Sequence, residues 1–366
     1  MPKSYRVAVI GRTGKGNYGH GLDTVWKAFD NVEVVAVADE NEKGRAAAAE
    51  RLKAKNAYAD YRQMLEKEKP QIVSVADRWL DCHRDMVLAC AEAGAHMFLE
   101  KPFSRTLTEA DEMVTACERK HLKVALAHQT RYSPRLRVLR DLLADGKLGD
   151  VLELRARGKE DARVGGQDLM VLGTHLMDLM RFLVGDPQNC YARVLQDGKP
   201  VTKADVKEGQ EMVGPIAGNG ISALYGFANG ATGYFASQKS NPGNARFGLH
   251  VYTSKGVVQL STGSLPPVFY SEDPTWFPGK SKAAWQEISS AGLGQPEPLK
   301  DGGLGQGNVW IVQDLLEAIE KDRQPIGSMY DGRAALEMIL AVYESHRIKG
   351  PVELPLKNRK HPLTML

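Results

Sequence analysis

Short apolar runs alternate with amphipathic stretches through the first third of the 366-residue chain, and this alternation restricts the folds that it can adopt. The runs are almost unbroken, which is typical of strands whose two faces are both covered. They lie at residues 6–10, 34–38, 72–76, 96–99 and 124–127. Stretches with helical spacing lie between them at 42–53, 82–93 and 109–120, the last with Thr108 as its predicted N-cap and Asp111 completing a capping box. Strands that alternate with helices predict right-handed βαβ units and a parallel sheet.

After about residue 128 the pattern changes to helices mixed with paired strands. Asn229 and Gly230 separate the runs ALYGFA and ATGYFA, and this pair favours a type I′ turn between antiparallel strands. Residues 262–308 are rich in Gly, Pro and Ser, which predicts a long surface excursion. A strand is predicted at 151–157, and helices at 134–144, 169–184, 309–321 and 331–348. We therefore predict two domains: an α/β domain over residues 1–128, and an α+β domain over residues 129–366 with a large open, mainly antiparallel sheet.

The charge balance argues against nucleic acids and membrane surfaces as partners, because 48 basic and 45 acidic residues leave a net charge of only +3. No run reaches the ~18 apolar residues of a membrane span, and the first residues lack the apolar stretch of a signal peptide. The four cysteines show no C-x-x-C spacing, and no H-x-x-x-H pair is present. These features predict reduced thiols, a cytoplasmic location and no metal site.

The first apolar run leads directly into a glycine-rich segment, in which Gly14, Gly16 and Gly19 match the pattern G-x-G-x-x-G. Glycines let a backbone approach a pyrophosphate, and a helix beginning near Leu22 would add free N–H groups. The second strand ends at Asp39, whose carboxylate is placed to bond the adenosine ribose and to repel a 2′-phosphate. The segment therefore predicts a Rossmann-type domain that binds NAD in preference to NADP. Its candidate cofactor-binding residues are Gly11, Thr13, Gly14, Gly16, Gly19 and Asp39.

Two further motifs give the chain a family resemblance. The triplet Glu100-Lys101-Pro102 stands at the end of a predicted strand, and residues 165–179 read GGQDLMVLGTHLMDL. With the ending ALEMILAVYESHRIKGPVELPL, these motifs resemble the Gfo/Idh/MocA family of sugar and cyclitol oxidoreductases over nearly the whole chain. The resemblance implies a Rossmann domain and an α+β domain whose open sheet often forms oligomer contacts, and so a homodimer or homotetramer. It also implies hydride transfer between a hydroxyl-bearing carbon of a sugar or polyol and the nicotinamide.

The resemblance also assigns roles to single residues. Lys101 would hydrogen-bond the reacting hydroxyl and stabilise negative charge on its oxygen. His175 would take the hydroxyl proton during oxidation and return it during reduction. Glu100 would hydrogen-bond the backbone around the turn. Glu100 and Lys101 are also counted among the candidate cofactor-binding residues. Family members often hold the bond between Lys101 and Pro102 cis. Asp178, three residues after His175, is expected either to be structural or to support the site residues without contacting substrate.

One position departs from the family pattern, because Val171 stands where the family usually has an aspartate, four residues before His175. Asp168 lies two helical turns before the same histidine and is a third candidate catalytic residue. It either binds a substrate hydroxyl or caps the helix. Arg131 follows the last predicted strand of the first domain and either lines the cleft or forms an ion pair at the domain interface. Trp79 either stacks on a sugar face or packs as an ordinary aromatic residue.

Three functions stay open on these grounds. The first is an NAD-dependent sugar or polyol dehydrogenase. The second is an enzyme that cleaves glycosides, or eliminates a group, through a transient keto-sugar and recycles its NAD. The third is a module that holds NAD(H) without turnover, and the presence of both Lys101 and His175 argues against it.

Overall fold

The computed structural model describes residues 4–239 and 247–366, and the chain forms two compact units. The first unit combines the chain up to His128 with Gln210–Gly214 and Leu304–Arg333. The second contains Gln129–Gly209, Pro215–Gly303 and Ala334–Leu366. Two segments of the first unit thus come from the part of the chain predicted for the second domain. None of the helices described is long and apolar enough to span a membrane.

The first unit is built around a six-stranded sheet in the order β3-β2-β1-β4-β5-β6, in which all neighbouring strands are parallel. The strands are β1 (Tyr5–Ile10), β2 (Val32–Ala38), β3 (Asn56–Tyr58), β4 (Ile72–Val75), β5 (His96–Leu99) and β6 (Val124–Leu126). The helices among them are α1 (Glu42–Leu52), α2 (Tyr61–Glu68), α3 (His83–Glu92) and α4 (Leu107–Arg119). The predicted parallel α/β sheet is confirmed. Its order reverses between β1 and β4, and at such a point the carboxyl ends of the strands border a ligand-binding crevice.

The segment after the glycine-rich loop differs from the prediction. No α-helix begins near Leu22, and the chain makes only a 3₁₀ turn at Val25–Ala28 before β2. Gly19 and Gly21 have φ values of +62° and +84°, a backbone that cannot continue into a right-handed helix. The turn is held by packing, because Trp26 is buried edge-on against Phe98 of β5. The loop therefore lacks the full helix dipole that the prediction assumed.

The start of α4 also differs by two residues from the prediction. Thr106, and not Thr108, is its N-cap, since the Thr106 hydroxyl accepts a hydrogen bond from the amide of Glu109 at 3.1 Å. Glu109 in turn accepts from the amide of Arg105 at 3.0 Å. The observed pair of Thr106 and Glu109 fits this arrangement better than the predicted pair of Thr108 and Asp111. The glutamate side chain is longer than that of aspartate and reaches back past the cap.

Two elements from the end of the chain complete the first unit, α9 (Leu304–Glu320) and the beginning of α10 (Met329–Ile348). The amide of Leu126 in β6 donates to the carbonyl of Gly327 at 2.9 Å. The side-chain amide of Asn308 donates to the carbonyl of His20 at 2.9 Å. These bonds connect segments near the end of the chain to the sheet edge and to the glycine-rich loop. No local sequence pattern predicts such long-range contacts.

The second unit contains an 11-stranded sheet in the order β18-β17-β16-β15-β14-β7-β13-β12-β8-β19, with β9 paired to β8 beside this path. Neighbouring strands of this sheet are antiparallel, except that β7 and β13 are parallel to each other. The predicted mainly antiparallel sheet is therefore confirmed. The strands are β7 (Val151–Arg157), β8 (Pro187–Gln196), β9 (Lys199–Pro200), β12 (Gly220–Phe227), β13 (Thr232–Gln238), β14 (Gly248–Thr253), β15 (Val257–Ser261), β16 (Val268–Ser271), β17 (Trp285–Ser289), β18 (Gly292–Leu293) and β19 (Val352–Glu353), while β10 (Lys207–Glu208) and β11 (Pro215–Ile216) form a separate ribbon. The helices are α5 (Pro134–Ala144), α6 (Gly166–Val171), α7 (Gly173–Val184), α8 (Pro278–Ser281) and the rest of α10.

Three local predictions for this unit are corrected. The hairpin between β12 and β13 is present, but of its two central residues only Gly230 has a positive φ, so the turn is not type I′. The excursion at 262–308 contains β16, β17 and β18, which extend the edge of the sheet. The single helix predicted at 169–184 is broken at Leu172, between α6 and α7.

Candidate active site

Asp39 stands at the carboxyl end of β2 and is only 2% exposed. Its carboxylate accepts hydrogen bonds from the amide and hydroxyl of Thr13, at 3.0 and 2.7 Å, and from the hydroxyl of Tyr18 at 3.0 Å. The amide of Asn41 adds a bond at 2.9 Å. Burial and the Asp39 charge raise the pKa of Tyr18 well above its ordinary value, so the phenol remains a donor. Asp39 therefore holds the glycine-rich loop, a role that its assignment to the ribose did not include.

Glu100 is fully buried after β5 and contacts the far end of the same loop. Its Oε2 accepts from the amide of His20 and lies 3.1 Å from the His20 ring nitrogen Nδ1. Burial acts to raise the pKa of Glu100, but the bonds from His20 and the charge of Lys101 outweigh it and hold the pKa below its ordinary value. A Cβ added to Gly19 would overlap Glu100 Oε2, so this close approach requires glycine.

Asp77 is the second residue after β4, is fully buried and contacts the middle of the loop. Its Oδ2 accepts from Arg12 Nη1 at 2.9 Å and from the Cys82 thiol at 2.9 Å. Arg12 also bonds both oxygens of Asp81. A Cβ added to Gly16 would overlap Asp77 Oδ1. One buried acid from the end of β2, of β4 and of β5 thus holds the loop, and we call Asp39, Asp77 and Glu100 the loop-holding carboxylates.

A pocket of about 240 Å³ opens in the first unit beside the ends of β1 and β2. Four acidic side chains line it, namely Asp39, Glu40, Asp81 and Asp85. Of the two arginines that line it, Arg12 is already paired with Asp77 and Asp81, and Arg62 lies over the ring of Tyr61 at 4.5 Å. The rim of this pocket therefore carries an excess of negative charge.

Lys101 is the second residue after β5 and is only 6% exposed. Its peptide bond to Pro102 is cis. The turn that carries it is braced by His83, which is fully buried, with Nε2 2.7 Å from the carbonyl oxygen of Asp77 and Nδ1 3.3 Å from that of Phe103. His83 thus connects the loop after β4 to the turn after β5. The ammonium of Lys101 is buried next to the negative charge of Glu100, which lowers the free-energy cost of keeping it charged.

His175 lies in the first turn of α7, in the second unit, and is half-buried. Its ring is edge-on to that of Phe247, with centroids 6.1 Å apart. Its amide donates to the carbonyl of Leu172 at 3.1 Å, at the break between α6 and α7. Because of this break, Val171 does not share a continuous helical face with His175. Val171 is also only 1% exposed, so the position is part of the core.

Asp168 is fully buried in α6. Its Oδ2 accepts from the Ser237 hydroxyl at 2.6 Å and from the Glu160 amide at 3.1 Å, and its Oδ1 accepts from the Lys159 amide at 3.2 Å. Burial raises the pKa of this carboxyl. The N-cap of α6 is Gly165, so Asp168 does not cap the helix. The geometry favours a structural role, in which the carboxylate fastens the segment after β7 to β13.

Arg131 and Asp178 form a buried, two-pronged ion pair within the second unit. Nε and Nη2 of Arg131 donate to the Asp178 carboxylate at 3.0 and 2.7 Å, and the two side chains are 8% and 1% exposed. The Arg131 guanidinium also lies 5.1 Å from the ring centre of Phe182. Both partners belong to the second unit, so this is not the domain-interface ion pair considered for Arg131, and Asp178 has a structural partner.

Sequence reasoning missed Tyr18, Arg12 and Asp77. The signal that was available for Asp77 is its position immediately after an apolar run, the same position that Asp39 and Glu100 occupy. Carboxyl ends of parallel strands meet at one edge of a sheet, so acids placed in this way converge on the same loop.

Comparisons with known proteins follow the same division of the chain. Residues 5–128 match the model "Oxidoreductase family, NAD-binding Rossmann fold", and residues 136–259 match the model "GFO/IDH/MocA C-terminal domain". D-apiose dehydrogenase of Paraburkholderia graminis is 28% identical over 56% of this chain and 56% of its own length. Levoglucosan dehydrogenase of Pseudarthrobacter phenanthrenivorans is 24% identical over 87% of this chain and 89% of its own length. A solved structure of levoglucosan dehydrogenase with NADH and L-sorbose matches with a TM-score of 0.77 at 20% identity, covering 96% of this chain and 99% of that one. The chain thus spans little more than half of the first relative and most of the second.

Proposed function

This chain belongs to the Gfo/Idh/MocA family of oxidoreductases, and we propose that it is an NAD-dependent dehydrogenase that acts on a hydroxyl group of a sugar or cyclitol. Its first unit is an NAD-binding Rossmann domain. The observation that carries the proposal is Lys101, a buried lysine at the carboxyl end of β5 beside the Glu100 carboxylate. The ends of such strands border the crevice in which ligands bind. The sugars in the names of the two relatives support the substrate class.

The residues of the first unit fit a dinucleotide. Gly16 and Gly19 leave no side chain where the loop approaches Asp77 and Glu100, and a loop backbone of this kind can approach a pyrophosphate closely. When bound, NAD supplies the chemistry of accepting or returning a hydride. The acidic pocket rim supports NAD over NADP, because Asp39 and Glu40 would repel a 2′-phosphate.

Lys101 and His175 handle the proton of the reacting hydroxyl. The ammonium of Lys101 donates a hydrogen bond to the hydroxyl oxygen and stabilises the negative charge that develops as the proton leaves. His175 takes that proton on a ring nitrogen during oxidation and returns it during reduction. Glu100 positions the machinery, since it bonds the Lys101 amide at 3.1 Å and supplies the charge that favours the ammonium form. We leave Asp168 out of the reacting set because its oxygens are buried and bonded within the fold.

A screen of neutral sugars, cyclitols and aryl glycosides with NAD tests the proposal when NADH absorbance and released aglycone are followed together. A dehydrogenase forms NADH in proportion to oxidised sugar and releases no aglycone. Release of aglycone without net NADH would instead indicate chemistry through a transient keto-sugar with recycled NAD. NADH binding without turnover of any substrate would indicate a binding module.

We further propose that a second copy of this chain covers the outer face of the large sheet. Directly paired positions on neighbouring strands place a row of side chains across this face: Tyr191, Leu224, Tyr234, Arg155, His250, Gln259 and Phe269. Tyr191, Leu224 and Phe269 are 48%, 37% and 37% exposed, and a cavity of about 850 Å³ opens among the central members. Tyr191, Leu224 and Tyr234 are adjacent in the row and exposed, and contiguous apolar surface of this kind marks an interaction site. A two-fold contact brings the row against its own copy, which matches apolar with apolar residues.

A further inference from the structure

Arg78 lies on the loop after β4, between Asp77 and Trp79, and its side chain is half-buried. Its Nε is shielded from solvent and has no hydrogen-bond partner. Its terminal nitrogens are not among the buried orphan atoms, so they reach solvent. Within residues 4–239 and 247–366, every other arginine that is partly or fully buried has an ion-pair or hydrogen-bond partner. Shielding Nε from water without an acceptor is unfavourable, and an anion that pairs with the guanidinium offsets this cost.

The backbone around Arg78 points to the same kind of ligand. Gly16 of the glycine-rich loop lies so close that an added Cβ would be 2.8 Å from the Arg78 amide nitrogen. Within the part of the chain that the structure describes, the amides of Gly16 and Arg78 donate to no protein acceptor. Two free N–H groups and a free guanidinium therefore occur on adjoining segments at the crevice edge of the parallel sheet, an arrangement suited to an oxyanion.

The charges nearby favour a free cation at this edge. Asp77 is paired with Arg12 and Glu100 lies beside Lys101, whereas Asp39 is bonded by the neutral donors Thr13 and Tyr18, so its charge opposes a doubly charged diphosphate. Arg12 cannot compensate, because Asp77 and Asp81 already occupy its guanidinium. Arg78 lies on the neighbouring loop and forms no ion pair with a carboxylate of the described residues.

We propose that Arg78 is an anion-binding residue of the active-site crevice, and that its guanidinium pairs with an oxyanion of a bound reactant. The diphosphate of the dinucleotide is one source of that oxyanion, and a carboxylate on a sugar-acid substrate is the other. Both would meet the same planar, two-pronged donor. The inference rests on the proposed function, since it takes for granted that dinucleotide and sugar bind at this edge of the sheet.

The test compares the wild-type protein with Arg78→Gln and Arg78→Lys. Arg84→Gln is the matched control, because Arg84 begins the next helix but is already paired with Asp85 and Glu112. Calorimetric titrations use ADP-ribose, which contains the diphosphate, and adenosine, which does not. Steady-state kinetics use a neutral hexose and the corresponding hexuronate. Melting temperatures show whether each variant is folded. Substitution of Arg78 should not lower the melting temperature, because the Arg78 side chain has no partner within the described fold.

If the dinucleotide is the source, Arg78→Gln weakens ADP-ribose binding about tenfold or more, the usual scale for a lost charge-assisted bond. Adenosine binding stays unchanged, the salt dependence of ADP-ribose binding becomes shallower, and Arg78→Lys retains part of the affinity. If the sugar acid is the source, ADP-ribose binding is unchanged and KM rises for the hexuronate alone. ADP-ribose affinity and both KM values equal to those of Arg84→Gln would overturn the proposal. Failure of the proposed function is distinguishable, because it appears as absence of NAD reduction in the wild-type protein, whatever Arg78 binds.

Discussion

At the scale of single residues, the contacts of an acid determine its role more than its position in the chain does. Asp39 occupies the strand-end position at which an acid commonly meets ribose, yet its carboxylate accepts bonds from Thr13, Tyr18 and Asn41. Its effect on a cofactor therefore acts through the loop that it holds as well as through its charge. Asp168 shows the same point, since three bonds within the fold occupy a carboxylate that sequence alone left open for substrate.

Alanine at Lys101 or His175 should reduce turnover by roughly 10² or more, because each substitution removes a proton-transfer partner or a donor to the developing alkoxide. NADH should still bind to His175→Ala, as measured by protein-to-NADH energy transfer. Lys123→Ala and His346→Ala serve as controls: Lys123 is about as buried as Lys101 but precedes β6, and His346 lies in the second unit, as His175 does, with its Nε2 2.9 Å from the carbonyl oxygen of Val201. Near-normal turnover in either test variant would remove that residue from the mechanism.

Cofactor choice should depend on Glu40 and Asp39 in different ways. Wild-type protein should bind NADH more tightly than NADPH, and Glu40→Gln should narrow the ratio by a few-fold, the scale of one exposed charge. Asp39→Asn should weaken both cofactors, because Thr13 and Tyr18 lose part of their acceptor. Arg45 is not free to assist NADPH, since it donates to the Asp39 carbonyl at 2.7 Å.

Fluorescence titration of both reduced cofactors measures these effects, with Glu50→Gln on α1 as the control. Equal affinities for NADH and NADPH in the wild-type protein would contradict the assigned preference. Unchanged binding of both cofactors to Asp39→Asn would show that the loop does not depend on this carboxylate.

At the scale of elements, Arg135 on α5 fastens the edge of the large sheet. It pairs with Glu297 at 2.7 Å and Glu287 at 2.6 Å, and donates to the carbonyl of Pro266 at 3.3 Å. The acids belong to the segment predicted as a long surface excursion, and Glu297 also accepts from the Ser290 amide at 3.0 Å. Side-chain bonds from one buried arginine thus order a stretch whose glycines and prolines carry no periodic signal.

This fastening should depend on pH through Glu297. Burial acts to raise the pKa of Glu297, but bonds from Ser290, Leu299 and Arg135 outweigh it and lower the pKa to about 2. A carboxyl with a lower pKa in the folded than in the unfolded chain stabilises the fold above its unfolded pKa of about 4.3, and the effect disappears as pH falls toward 2. The difference in melting temperature between wild type and Glu297→Gln should therefore be several degrees at pH 7 and shrink below about pH 4.3.

Thermal melts at pH 7, 5 and 3 measure the effect of Glu297. Glu272→Gln is the control, because Glu272 lies on the same segment but is exposed. A melting difference that stays constant across this range would mean that the Glu297 charge does not contribute.

The elements that sequence predicted well are those whose signal is local. Strands β1, β4 and β5 are short apolar runs with both faces buried, and α1 begins and ends within a residue of its predicted bounds. The motif around Lys101 likewise identified a buried lysine at a strand end. The elements that failed depend on distant partners: the 3₁₀ turn at Val25–Ala28 depends on Phe98, and β16 to β18 depend on pairing with the existing sheet edge. Arg78 has no local signal, since only its lack of a partner distinguishes it.

At the scale of the whole molecule, the outer face of the large sheet should control assembly. Leu224 stands directly opposite both Tyr191 and Tyr234, in the apolar part of the exposed row. Leu224→Arg should place an unpaired charge among these apolar residues of the two-fold contact, where desolvation opposes association and raises the dissociation constant by about two orders of magnitude. Light scattering coupled to gel filtration, run over a range of protein concentrations, measures the change. Leu304→Arg is the control, because Leu304 is 52% exposed on α9 of the first unit.

A wild-type protein that is monomeric throughout, or a Leu224→Arg variant that assembles like the wild type, would show that this face has no partner copy. If assembly is lost while NADH binding and turnover persist, the contact serves stability alone, since the loop-holding carboxylates and Lys101 lie in the first unit.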